Sequence, residues 1–162
     1  MFRFKCEHCN EFHDGIPDFG FDAPYYYHAV PAEARCDRCE LSSDFCRVDG
    51  DFFIRGSLEI PINGSDETFS YGVWISVSQE NSLWYREKFH DETLQGRFVG
   101  WISNEIPGYA DTLTLIGAAI PRPEGLRPLI ELKPTDHPLS DLQREGLSIE
   151  QLVSLCSRLL HY

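Results

Sequence analysis

The first third of the chain contains five of its six cysteines, and this concentration constrains the fold more than any other feature. One Cys-x-x-Cys motif runs from Cys6 to Cys9 and a second from Cys36 to Cys39, and Cys46 follows. Each motif presents two thiolates from a single tight turn, and two such pairs complete the tetrahedral shell of a zinc ion. The segment 1–50 is therefore predicted to be a loop-rich, zinc-binding segment, interrupted by prolines and containing one short helix within Ala32 to Cys39.

The spacing leaves the second half of the metal site open. Cys36 with Cys39, or Cys39 with Cys46, can supply it, and His8 or His13 can replace one thiolate. Four protein ligands would make the zinc structural, whereas three ligands and a water near His13 would make it catalytic. Free thiols without metal, or a redox pair, are the competing interpretations. The redox role is disfavoured because neither motif follows a strand and opens a helix.

Residues 51–162 show the periodicities of a mixed α+β body. Alternating apolar residues predict a hairpin, Phe52 to Ile62 and Phe69 to Val77, joined by a turn at 63–66. Ser78 is a predicted N-cap for a helix over 79–90, and Ser148 with Gln151 forms a capping box before an apolar helical stripe on which Cys156 lies. Further strands are predicted at 96–102, 112–120 and 127–132, with a turn at 104–108 between the first two.

These patterns predict one domain over 1–162, of the α+β class. We expect an antiparallel sheet with helices on one face, joined to the zinc-bound N-terminal segment. The length is sufficient for an extensive core.

The charge is strongly acidic, with 26 Asp and Glu against 14 Lys and Arg and a formal net charge of −12. Such a surface repels phosphate backbones and acidic membranes, which disfavours nucleic-acid or membrane binding, including a nucleic-acid-binding zinc ribbon. A basic protein is the expected partner. The start of the sequence lacks a secretory pattern, and no apolar run is long enough to span a bilayer, so a cytoplasmic location is expected.

Several motifs together resemble a known bacterial family. They are Cys6-x-x-Cys9 with His13, Arg38-Cys39-x-Leu41-x-x-Asp44-x-Cys46, Phe53-Ile54-Arg55-Gly56-x-Leu58-Glu59-Ile60-Pro61, Gly72-Val73-Trp74, Gly100-Trp101, Arg127-Pro128 and Thr135-Asp136-His137-Pro138-Leu139. Over nearly the whole chain the sequence resembles domain of unknown function 2199. The resemblance implies the ligand set Cys6, Cys9, Cys39 and Cys46, with Cys36 as the alternative. Asn10 stands where that family commonly has glycine, and asparagine tolerates a left-handed turn. The resemblance implies no activity.

The remaining candidate for chemistry is the pair Asp136 and His137. A histidine beside an aspartate can act as a general base, and Arg55 projects from the polar face of a strand that can line a cleft. The competing and favoured interpretation is that these residues cap a helix that starts at Pro138. The sequence contains no nucleophile elbow, phosphate-binding loop, dinucleotide fingerprint or His-Glu-x-x-His motif.

Two functional hypotheses follow. The first is a non-enzymatic, zinc-stabilised module that binds a basic protein, for example as an immunity-type inhibitor of a basic toxin, steered by its carboxylates. The alternative is a small hydrolase-like enzyme that uses His137 and Asp136, with Arg55, in a cleft. The absence of catalytic signatures favours the binding module.

Overall fold

The structure, a computed structural model, describes residues 1–162 and contains ten strands and five α-helices. The strands are β1 Arg3–Lys5, β2 Phe12–Asp14, β3 Phe19–Gly20, β4 Cys39–Leu41, β5 Phe45–Val48, β6 Asp51–Pro61, β7 Thr68–Val77, β8 Phe98–Trp101, β9 Ile116–Ile120 and β10 Leu129–Leu132. The helices are α1 Tyr25–Ala29, α2 Arg35–Arg38, α3 Gln79–Lys88, α4 Pro138–Glu145 and α5 Ile149–Leu159. Short 3-10 turns cover Ala32–Ala34 and Thr112–Thr114.

The long hairpin formed by β6 and β7 is the centre of the fold. Its strands pair from Phe52 opposite Val77 to Pro61 opposite Thr68, as the alternating pattern predicted. Ile54, Leu58 and Ile60 are fully buried on one face, and each contributes roughly 1.5–3 kcal/mol to stability by leaving water. The opposite face carries Arg55, Ser57 and Glu59, whose side chains remain partly accessible.

The sheet is mixed, which corrects the expectation of an antiparallel one. Most pairs are antiparallel, but β10 pairs with β6 in parallel, and β3 pairs with β7 in parallel. The order along the sheet is β3-β7-β6-β10-β9-β8. On its other side, β10 pairs antiparallel with β9.

The far end of the sheet curls back onto its beginning. Ile102, just after β8, forms an antiparallel bridge with Ile75 of β7, and the Ser103 N–H donates to the Trp74 carbonyl at 2.8 Å. The strands β7, β6, β10, β9 and β8 therefore form a ring of neighbours around the buried face.

Helices α3, α4 and α5 cover this buried face. Each helix contributes at least one side chain to the apolar cluster that contains Ile54 and Leu58, among them Tyr85, Leu139 and Leu152. The N-terminal segment adds Phe4 and Cys6 to the same cluster. The α+β class is confirmed. The predicted caps also form, because Ser78 accepts from the Asn81 N–H and Ser148 with Gln151 completes a capping box.

A second, smaller cluster lies on the other face of the hairpin. It consists of Val30, Cys39, Cys46, Val48, Phe53 and Trp74, all buried. The first four residues belong to the segment 1–50, which packs through them against β6 and β7. This segment was predicted to be loop-rich but contains five short strands, β1 to β5, and β4 and β5 extend the sheet beside β6. None of the five helices combines the length and the apolar character that crossing a bilayer requires.

Candidate metal centre

The first Cys-x-x-Cys motif forms a tight turn between β1 and β2. The Cys6 N–H donates to the Glu11 carbonyl at 2.9 Å, and the Asn10 N–H donates to the Cys6 carbonyl at 3.1 Å. Asn10 has φ +62°, the left-handed conformation that asparagine tolerates better than most residues with a side chain beyond Cβ. The turn thus places both thiols on one side of the β1–β2 hairpin.

Two histidines complete a four-residue cluster around these thiols. His13 lies on β2, and its Nε2 is 3.3 Å from Cys9 Sγ. His161 follows α5, and its Nε2 is 3.3 Å from Cys6 Sγ. One potential ligand atom from each of Cys6, Cys9, His13 and His161 lies within 4.8 Å of all the others. A tetrahedral zinc ion separates a bound sulfur from a bound nitrogen by about 3.5 Å, so this spacing fits such an ion.

The surroundings of Cys6 favour its thiolate form. Burial alone would raise its pKa, but the backbone N–H groups of Cys9 and His8, with the side chains of Ser157 and Cys9, lower the pKa of the Cys6 thiol to about 6. The His8 N–H lies 3.4 Å from the sulfur. Since the thiolate is the form that binds metal, this turn prepares Cys6 as a ligand.

Helix α5 delivers His161 to a hairpin that lies 155 positions earlier in the chain. Ser157, buried on the same helix, accepts a hydrogen bond from the Glu7 N–H at 3.0 Å. The rings of His161 and His8 lie 5.6 Å apart, centroid to centroid. The last turn of α5 is therefore in direct contact with the Cys-x-x-Cys turn.

The structure divides the predicted thiolates between two places. Cys6 and Cys9 lie in the cluster, whereas Cys39 and Cys46 lie in the second apolar cluster, because the pairing of β4 with β5 turns both toward Phe53 and Trp74. Burial, with a smaller effect of Cys39, raises the pKa of the Cys46 thiol to about 12. The alternative ligand Cys36 is exposed. A shell of four thiolates is not assembled, and the ligand set remains a prediction for metal analysis.

Of the two histidines considered as substitutes, His13 is in the cluster and His8 packs beside it. The contribution of His161 was missed. His161 follows an amphipathic helix and belongs to no sequence motif with metal-ligand spacing. Only the packing of α5 against the hairpin shows that it lies beside Cys6.

The candidates for catalysis do not converge. His137 is the N-cap of α4, where its Nδ1 accepts from the Leu139 N–H at 3.1 Å, and its Nε2 lies 2.7 Å from the Ala110 carbonyl. The favoured capping interpretation is thus correct in substance, although the imidazole and not the Asp136 carboxylate is the cap. Arg55 lies in a separate pocket whose lining includes neither residue.

Fold and site together define a class: an α+β domain with a mixed sheet, in which a Cys/His cluster able to hold a metal ion joins an N-terminal hairpin to a C-terminal helix. Residues 5–147 match DUF2199, described as an uncharacterized protein conserved in bacteria, and the chain belongs to this family. The matched residues include Cys6, Cys9 and His13 but end before His161. No curated protein and no solved structure was found to match the chain.

Proposed function

We propose that this protein is a non-enzymatic, protein-binding module whose fold is held together by a structural zinc ion bound by Cys6, Cys9, His13 and His161. The observation that carries the proposal is the convergence of these four side chains within 4.8 Å. Two thiolates and two imidazoles are a ligand set that zinc prefers. With four protein ligands no position remains for water or substrate, so the ion would stabilise the fold and would not catalyse a reaction.

Metal analysis of purified variants tests the centre. Wild type is expected to contain one zinc per chain, because the four ligands are already close together, and Cys9→Ser and His161→Ala are expected to lose it. Cys9 is the better thiol to change because Cys6 is also part of the apolar core. His8→Ala and Cys36→Ser are the matched controls, since both residues lie outside the cluster, and both should retain the ion.

Two results would contradict the proposed ligands. Absence of zinc from wild type purified without chelator would remove the centre. Zinc that persists in His161→Ala but is lost in Cys46→Ser would favour the four-thiolate set instead. Elemental analysis measures the zinc content of each variant. Thermal unfolding before and after chelation measures the stability that zinc provides, which for a structural zinc is on the order of 10 kcal/mol.

The proposed partner is a basic protein, and an exposed aromatic surface supports its binding. Trp101 is 50% exposed and lines a pocket of about 340 Å³ with Tyr26, Phe52, Val77 and Asp51. We name this the Trp101 surface. A Lys or Arg side chain in this pocket could stack on an aromatic ring and pair with the Asp51 carboxylate. The net charge of −12 would accelerate association with such a partner, as in an immunity-type inhibitor of a basic toxin.

Comparative capture from a bacterial lysate tests the partner. We expect wild type to retain a basic protein that binds the purified chain directly. Trp101→Ala should weaken that binding by about 30-fold, because buried tryptophans at interfaces are frequent hot spots. Leu126→Ala removes an equally exposed apolar side chain elsewhere and should bind normally. An acidic partner, or equal capture by both variants, would contradict the assignment of this surface.

The hydrolase alternative has no geometric support. Both ring nitrogens of His137 are engaged, one as the cap of α4 and one beside the Ala110 carbonyl, and Asp136 is exposed. A general base needs a free nitrogen within reach of a substrate proton. We therefore propose no catalytic role for this pair.

A further inference from the structure

A polar pocket of about 330 Å³ opens on the outer face of the central hairpin. It lies where the short strand β3 pairs with β7, with Gly20 opposite Gly72. Its lining combines three arginines, two serines and one carboxylate: Arg55, Arg122, Arg127, Ser57, Ser70 and Asp18. An excess of arginines in one pocket is notable in a protein whose net charge is −12.

Arg55 is the arginine of this pocket without a protein partner. Arg127 Nε lies 3.0 Å from an Asp44 carboxylate oxygen, and Arg122 lies 3.7 Å from Glu59. No carboxylate lies within 4.0 Å of the Arg55 guanidinium, and its buried Nε has no hydrogen-bond partner in the protein. A buried donor left without a partner carries a desolvation cost that no protein contact offsets.

The backbone around Arg55 is shaped to hold its guanidinium in place. A Cβ atom at Gly20 would come within 3.0 Å of Arg55 Nη2, and one at Gly72 would lie 3.6 Å from the same nitrogen. The planar group therefore lies against two glycines that leave it room. Beside it, the hydroxyls of Ser57 and Ser70 are 2.6 Å apart and supply further polar contacts to the pocket.

The charges around the guanidinium also favour an added anion. Burial lowers the pKa of Arg55, and the positive charge of Arg127 lowers it further, while Asp22 and Asp44 act in the opposite direction. Of these two carboxylates, Asp44 is already paired with Arg127. An anion bound against Arg55 would offset both burial and the repulsion between the two arginines.

We propose that this pocket binds a small oxyanion, the carboxylate or phosphate group of a small molecule, held by Arg55 with the hydroxyls of Ser57 and Ser70 beside it. The guanidinium presents a planar set of donors that matches either group, and the volume suits a small ligand. Arg55 thus binds a ligand instead of assisting His137. The pocket shares no residue with the Cys/His cluster or the Trp101 surface, so its assignment stands apart from the proposed function.

The test is a titration of the protein with inorganic phosphate and, separately, with acetate. Amide NMR shifts report binding, and chloride keeps the ionic strength constant. At least one of the two anions is expected to bind wild type saturably with a Kd of about 1–10 mM, with shifts centred on residues around Arg55. Arg55→Gln should weaken this binding about ten-fold or more, since a charge-assisted hydrogen bond is lost. Arg97→Gln, a change at an exposed arginine paired with Glu131, should bind as wild type does.

A second variant protects the test against misfolding. Gly20→Ala retains every charge but adds a methyl group 3.0 Å from Arg55 Nη2, so the guanidinium must shift, and binding should weaken measurably even if Arg55→Gln fails to fold. Phosphate binding without acetate binding would identify a phosphate site, and the reverse a carboxylate site. Absence of saturable binding of either anion to wild type, or unchanged binding in Gly20→Ala or in a folded Arg55→Gln, would overturn the proposal.

Discussion

Asn104 shows how one side chain can join three parts of the chain. Its Oδ1 accepts from the Trp74 N–H at 2.8 Å, and its Nδ2 donates to the Ala23 carbonyl at 3.0 Å. It is almost completely buried. The sequence predicts a turn beginning at this residue, which is a surface role, but the amide instead fastens the N-terminal segment to β7.

Replacing Asn104 with alanine should therefore destabilise the protein substantially. The Trp74 N–H and the Ala23 carbonyl would both lose their partner in the interior, and two such losses amount to about 3 kcal/mol. Urea unfolding of Asn104→Ala, compared with Gln95→Ala at an exposed position, measures the effect. A difference below about 1 kcal/mol would mean that water replaces the amide.

Among the elements, α5 links the apolar core to the candidate metal centre. Leu152, Leu155 and Cys156 bury one face of the helix, and its last turn brings Ser157 against the Cys-x-x-Cys turn. The helix starts at a full capping box, in which Ser148 and Gln151 exchange hydrogen bonds with each other's backbone N–H. Its start is thus set by local chemistry and its orientation by the core.

Ser148→Ala should lower the free energy of unfolding by about 1 kcal/mol, because the helix loses its N-cap. Measurement of both proteins at one fixed, saturating zinc concentration keeps the contribution of any bound metal equal in the two. Ser154→Ala, within the same helix, serves as the control and should be neutral or slightly stabilising, since alanine is the better helix former. Equal destabilisation by both changes would show that the cap itself contributes nothing.

Across the whole molecule, local patterns predicted most elements of residues 51–162, but neither the short strands of residues 1–50 nor the assembly of the sheet. Period-two alternation predicted β6 and β7, and capping chemistry predicted the start of α5. The parallel pairing of β10 with β6 depends on the route of the chain through β8 and β9, which no local pattern records. The same holds for the candidate site. The Cys-x-x-Cys spacing predicted Cys6 and Cys9 as metal ligands, whereas His161 could be found only from how α5 packs against the hairpin.

The contact between Cys6 and His161 also determines when the proposed metal centre could be completed during synthesis. A ribosome makes the Cys-x-x-Cys turn long before the residue 155 positions later that closes the cluster. Until then, only Cys6, Cys9 and His13 are present, and an ion bound to them retains an open, exchangeable position. Tight metal retention would thus begin only after His161 has been translated and α5 has docked.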